Sequence, residues 1–211
     1  MASISNDTKG LRDRKKSRRR HEILDAARHL FEVDGYDGTT MARIADAAMV
    51  STPTVFNYFG SKDQLIIEMV LEGHEAGRSF IRAWSPADPN DPARAISEMM
   101  CLYSNLTMDI AGKRVWRYAE STNIRIPKSP VTALYQQIEA NHVSEIAAAI
   151  ERFEHPSFAD PGFLAGLIYD CWNAEFFRFI RIEDMTLAAH HDRVRSMIHK
   201  LFALISPPDG D

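Results

Sequence analysis

The residues best suited to chemistry lie in one stretch, Gly35–Leu65. Thr52, Thr54 and Asn57 are small and polar, and their side chains can hydrogen-bond to base edges or phosphates. Pro53 and a threonine methyl can touch thymine methyl groups, and Tyr58 can donate its hydroxyl to a phosphate. Thr40, Arg43 and Lys62 flank these residues and can grip the sugar–phosphate backbone on either side. Together they suit recognition of double-stranded DNA by a short helix in the major groove. The sequence has no GxSxG, no HExxH, no glycine-rich phosphate loop and no Cys-His-Asp order, so no residue is assigned a catalytic role. His190 and His191 are adjacent and cannot share a helix face. His21, His29, His74, His155 and His199 stand without ligand-spaced partners, so neither a metal nor a cofactor is expected. Cys101 and Cys171 lack CxxC spacing and read as reduced thiols of a cytoplasmic protein.

These side chains need short helices to hold them. Ile23, Ala26, Ala27, Leu30 and Phe31 recur every three or four residues from about Arg18, and Gly35 stops that helix. Thr40 or Thr39 caps a helix through Ala42–Ala48, with Ile44, Ala45 and Ala48 facing inward. Ser51 caps the next helix, which has Pro53 in its first turn and Gly60 at its close. Ser61 and Gln64 have the spacing of a capping box and open a helix to about Trp84. The order is a helix-turn-helix followed by a longer helix.

Beyond the breaker Ser85–Pro92, three pairs mark helix starts: Asp91-Pro92, Ser129-Pro130 and Asp160-Pro161. They delimit helices of about Ala93–Asp109, Val131–Phe153 and Gly162–Ile182, with further helices over Gly112–Ser121 and Leu187–Ile205, and Pro207-Pro208 after the last. No alternating stretch is long enough for a strand. The fold class is therefore all-α, with about nine helices: a three-helix head and a larger helical body.

The chain has 211 residues, 45% hydrophobic and 26% charged, with a net charge of −4. The first twenty residues carry eight cations against Asp7 and Asp13, a net of +6, which leaves −10 for the rest. Residues 1–17 read as a disordered basic arm, 18–70 as the head, and 71–211 as a ligand-binding and dimerisation body. No apolar run reaches membrane-spanning length and no secretory leader is visible. The apolar faces Phe163–Ile180 and Val194–Ile205 are broad enough to predict a two-fold bundle between two copies. Candidates for an adaptable, largely apolar small-molecule pocket are Met99, Met100, Tyr103, Met108, Trp116, Tyr135, His142, Trp172, Asn173 and Phe176. Glu120, Asn123 and Arg125 form a possible polar wall.

The order Ile23 to Phe31, Gly35-Tyr36, Thr39-Thr40, Ile44-Ala45, Val50-Ser51, Phe56, Tyr58-Phe59, Ser61-Lys62 and Leu65 resembles the TetR family of bacterial transcriptional regulators over about residues 18–70. The resemblance implies a homodimer that binds a palindromic operator and is usually a repressor released by a small molecule. It also implies phosphate contacts by Thr40, Tyr58 and Lys62, and base reading by Thr52, Pro53, Thr54 and Asn57. Two residues depart from the family pattern. Phe56 stands where tyrosine is common, which assigns its ring to packing. Met49 stands where glycine is common, which requires either a positive φ at some cost or a different turn. The competing expectation is a helical small-molecule-binding protein or enzyme with a vestigial head.

Overall fold

The computed structural model describes residues 3–88, 90–153, 158 and 160–205, with side chains from residue 13 onward. Among the described residues there are nine helices and no strand: α1 (Ser3–Gly38), α2 (Met41–Ala47), α3 (Thr52–Phe59), α4 (Lys62–Ala83), α5 (Pro92–Ile110), α6 (Lys113–Arg125), α7 (Pro130–Ile150), α8 (Pro161–Arg181) and α9 (Leu187–Ile205). They form two compact units, Met1–Met69 and Val70–Asp211. No helix among the described residues is long and apolar enough to cross a membrane.

In the first unit, Ile23, Leu24, Ala27 and Phe31 of α1, Ile44 and Ala45 of α2, Val55 and Phe59 of α3, and Leu65 of α4 are all buried. At Gly35 the backbone takes φ 75 and ψ 176, a conformation effectively reserved for glycine. There α1 breaks, and a last short turn runs to Gly38. Thr39, fully buried, donates its hydroxyl to the Gly35 carbonyl at 2.8 Å, and Thr40 takes the cap of α2 by accepting from the Arg43 amide at 3.2 Å. Ser51 caps α3 through the Thr54 amide at 3.3 Å, and Pro53 falls in its first turn, where no amide donor is needed. Only half of the expected capping box forms at α4. Ser61 accepts from the Gln64 amide at 3.1 Å, while the Gln64 side chain turns forward to Glu68 at 3.2 Å.

The segment 3–17, expected to be disordered, continues α1 back to Ser3; Met1 and Ala2 lie outside the described residues. Lysine and arginine are good helix formers, and lengthening an existing helix needs no new nucleus. Lack of an apolar period therefore did not exclude helix here.

In the second unit, Asp91, Ser129 and Asp160 cap their helices by accepting from the amides of Arg94, Thr132 and Phe163 at 2.9, 3.1 and 2.9 Å, each with proline in the first turn. Helix α6 runs four residues past the expected Ser121, and α7 ends at Ile150, with Phe153 buried in the turn that follows. The expected Pro207-Pro208 terminus lies outside the described residues. Helix α5 packs on α9, and α7 on α8. The Lys113 ammonium closes the end of α8, donating to the carbonyls of Ile182, Glu183 and Met185 at 2.8, 3.0 and 2.7 Å while lying 4.2 Å from the Phe179 ring centroid. Leu164, Ile168, Trp172, Phe176, Phe179 and Ile180 are buried within their own chain, whereas Phe163 (71%) and Leu204 (80%) are exposed.

Met49 sits in the α2–α3 turn with φ 53 and is 89% exposed, so its side chain gains little packing to offset a left-handed backbone. Met49→Gly is expected to raise the unfolding free energy by about 1 kcal/mol, whereas Met49→Ala leaves it nearly unchanged. Urea denaturation of the two variants beside the parent chain checks this.

Candidate nucleic-acid interface and ligand cavity

The inner face of α3 is filled by Val55 and Phe59, one turn apart and almost fully buried. The opposite stripe, Pro53, Phe56 and Asn57, faces solvent, with Thr52, Thr54 and Tyr58 half-exposed beside it. The assignment of Phe56 to packing is therefore corrected: the ring is 48% exposed and lies three residues from Pro53 on the same helix face. That spacing was readable in the sequence. The Thr54 hydroxyl shares a hydrogen bond with Ser51 at 2.8 Å, so it is held in place while retaining acceptor capacity.

Two of the expected phosphate-gripping cations are engaged within the head. The Lys62 ammonium donates to the carbonyls of Tyr36 at 2.7 Å and Thr39 at 2.8 Å, and lies 4.0 Å from the Tyr36 ring centroid. It ties the start of α4 to the turn between α1 and α2. Tyr36 is held from its other end by Asp63, which accepts its hydroxyl at 2.6 Å. Arg43 donates to the Gly38 carbonyl at 3.0 Å and lies 2.8 Å from an Asp34 carboxylate oxygen. Arg20 pairs with Glu68 and lies 5.7 Å from the Phe59 ring centroid. Arg14, Lys15, Lys16 and Arg18 are exposed along α1.

The body contains two small cavities of about 40 and about 50 Å³, separated by Thr107, Trp116, Ile138 and His142, which line both. Seven of the ten pocket candidates reach them: Tyr103 lines the first, Tyr135, Trp172, Asn173 and Phe176 the second, and Trp116 and His142 both, while Met100 and Met108 line neither. Nor does Met99 reach them. It is 1% exposed, lines neither cavity, and belongs to the body core. Glu120 lines a separate groove of about 570 Å³ formed with Arg117, Phe177 and Arg178; Asn123 and Arg125 do not line it.

His74, read from sequence as isolated, is a neighbour of His142, with ring centroids 5.2 Å apart. The first cavity also holds Arg78, which donates to Glu145 at 3.1 Å; the other oxygen of Glu145 accepts the Tyr103 hydroxyl at 2.8 Å. Neither Arg78 nor Glu145 stood among the candidates, because their partnership spans 67 residues and leaves no local pattern. Burial, with the nearby charge of Glu145, pushes the Tyr103 phenol up. Burial also lowers His142 to about 3, with His74 and Arg78 adding to the shift, and its Nδ1 has no hydrogen-bond partner. On the far side of Trp172, the indole N–H donates to Ser104 at 2.9 Å, and Ser104 is 2.9 Å from buried His190 of α9.

Residues 23–69 match the family model described as bacterial regulatory proteins, tetR family. The head of the chain is thus similar to that of the tetR family. The chain is similar to the HTH-type transcriptional repressor AcnR of Corynebacterium jeikeium, 44% identical over 54 residues that make up 26% of this chain and 29% of that one. It is also similar to the HTH-type transcriptional regulator BetI of Burkholderia ambifaria, 27% identical over 159 residues, 73% of this chain and 80% of that one. Of the curated relatives that match its tetR-type head at higher identity, the chain spans less than half the length. A crystal structure of a TetR-family transcriptional regulator from Pectobacterium atrosepticum shares the fold, with a TM-score of 0.69 at 19% identity over 92% of this chain and 97% of that one.

Two outcomes follow from this geometry. Lys62→Met leaves two half-buried carbonyls without their donor and is expected to cost about 2 kcal/mol of stability even without DNA, measured by chemical denaturation. His142 titrates near 6.5 when unfolded but only near 3 when folded, so its contribution is complete above pH 6.5 and is lost as pH falls. Between pH 7 and pH 5 that loss is expected to be about 2 kcal/mol from this one residue. His142→Phe should show a correspondingly smaller drop in stability across the same interval.

Proposed function

We propose that the protein is a ligand-responsive transcriptional regulator, acting as a repressor in the cytoplasm, that binds a near-palindromic DNA operator as a homodimer. The observation that carries this reading is the exposed stripe of α3. A short helix, rigidly capped by Ser51, presents Pro53, Phe56 and Asn57 outward with Thr52, Thr54 and Tyr58 alongside. Asn57 offers an amide for base edges, Phe56 and Pro53 offer apolar contact to thymine methyls, and Tyr58 offers a hydroxyl to phosphate. Thr40 at the start of α2 adds a phosphate donor. The exposed cations of α1 add a salt-dependent contribution that carries no sequence information.

Lys62 and Arg43 take a different part from the one their charge suggests. They hold the head in shape, and the backbone they brace positions α2 and α3. The exposed Phe163 and Leu204 of α8 and α9 support pairing of two copies through these helices. A small molecule in the body changes DNA affinity only if it favours one arrangement of the dimer over another. Helix α4 starts at Lys62 in the head and ends at Ala83 in the body, so it is the covalent route for that preference. The protein works by binding; no turnover enters this reading.

The test is selection of bound fragments from random duplex DNA, followed by gel-shift titration of the recovered sequence. One enriched, two-fold-symmetric motif is expected. Asn57→Ala should weaken binding to that motif by about ten- to a hundredfold while leaving non-specific binding unchanged. Recovery of no motif at moderate salt contradicts the proposal and favours a head that no longer reads DNA.

A further inference from the structure

Charged residues make up 26% of the chain, yet none falls between Asp46 and Lys62. The stretch Ala47–Ser61 holds the α2–α3 turn and the whole of α3, and it contains no Asp, Glu, Lys, Arg, His or Gln. That composition restricts what α3 can read. In the major groove, guanine presents two acceptors, best met by Arg or Lys, and cytosine presents an amino donor, met by Asp or Glu. Adenine presents an acceptor beside an amino donor, met twice over by Asn or Gln, and thymine adds a C5-methyl, met by apolar groups. Helix α3 has no reader of the first two kinds. It has Asn57 for adenine, and Pro53 and Phe56 for the thymine methyl.

The charged groups bordering the stretch do not supply the missing readers. The Lys62 ammonium is taken up by the carbonyls of Tyr36 and Thr39, and the Arg43 guanidinium by the Gly38 carbonyl and Asp34. Asp46 is exposed, but it belongs to α2, the helix that crosses the backbone in this motif. The exposed cations of α1 are drawn to phosphate, which carries no base pattern. The Thr54 hydroxyl is shared with Ser51, and the hydroxyls of Thr52 and Tyr58 donate or accept alike, so they do not choose between base pairs. What remains is the outward stripe. Val55 and Phe59 fill the inner side of α3, which leaves the Phe56 ring on the outer side with Pro53 and Asn57. From Pro53 to Asn57 the stripe covers about 6 Å of helix axis, the length of about two base-pair steps. A phenyl ring in water is unfavourably placed, and a thymine methyl covers it where the bare C5 edge of cytosine does not.

We infer that the base pairs read by α3 are A·T pairs, with Phe56 recognising the thymine C5-methyl and Asn57 the adenine edge. This rests on the reading of α3 as a helix that enters the major groove. Phe56 is then a specificity-determining residue, although it carries no hydrogen-bonding group.

The test is a gel-shift titration of the whole protein on its selected operator, beside copies in which each thymine in turn is replaced by deoxyuridine. That replacement deletes the C5-methyl and leaves base pairing unchanged. A·T pairs are expected at the centre of each half-site, and at least one thymine in each should lose about three- to tenfold in affinity on replacement. Phe56→Ala is expected to bind the thymine and uracil operators within about twofold of each other. Should the alanine variant bind neither, Phe56→Leu keeps an apolar group and is expected to discriminate less than the parent chain. Half-site centres made of G·C pairs, a uracil operator bound as tightly as the thymine one, or discrimination undiminished in the Phe56 variants each overturns the assignment while leaving DNA-binding regulation standing. Recovery of no motif overturns both.

Discussion

The Lys62 ammonium is the contact on which the head depends. A single cation at the first residue of α4 holds two carbonyls of the α1–α2 turn and lies against the ring of Tyr36. The turn it holds is one that only glycine at position 35 can make. That turn ends in Thr39 and Thr40, which close it and cap α2. Helix α2 in turn leads through the strained Met49 to the Ser51 cap of α3. Each step fixes the next, so the outward face of α3 is set by contacts none of which lie on that face. A charged donor serves better here than a neutral one, because hydrogen bonds from an ammonium to carbonyls are stronger than neutral pairs.

The body follows a different constraint: polar groups inside an aromatic core. Glu145 is neutralised by Arg78 and Tyr103, and Ser104 is held between Trp172 and His190. Those two clusters brace the walls, although the Nδ1 of His190 is left without a hydrogen-bond partner. His142 lies between them with one nitrogen unpaired. Trp172 touches both sides of this arrangement, since it lines the second cavity with one face and reaches α9 through Ser104 with its indole N–H. Occupancy beside Trp172 is thereby linked to the start of α9, one of the two helices whose outward apolar residues suit pairing of copies.

Much of this was legible from local chemistry. The three acid- or serine-proline pairs mark α5, α7 and α8 because a cap oxygen and a missing amide act within one turn, and Gly35 and Ser51 punctuate the head for similar reasons. What was not legible was tertiary. Lys62 and Phe56 carry plain sequence signals, a cation at a helix start and a ring beside buried positions. Their actual roles depend on where the α1–α2 turn and the inner face of α3 fall. Met99 shows the same limit from the other side: a flexible apolar residue is as good for a core as for a cavity, and only packing decides. The helix through residues 3–17 was missed because charge-rich segments hide their propensity from any test of apolar period.

The most direct measurement is a hydroxyl-radical footprint of the protein on its selected DNA. Two recognition helices of a symmetric dimer should protect two backbone patches on one face of the duplex, about 34–36 Å or a multiple of it apart, with the symmetry axis between them. That pattern is the result expected. Protection without phase, or of a single patch, would contradict a dimer that reads successive major grooves through α3.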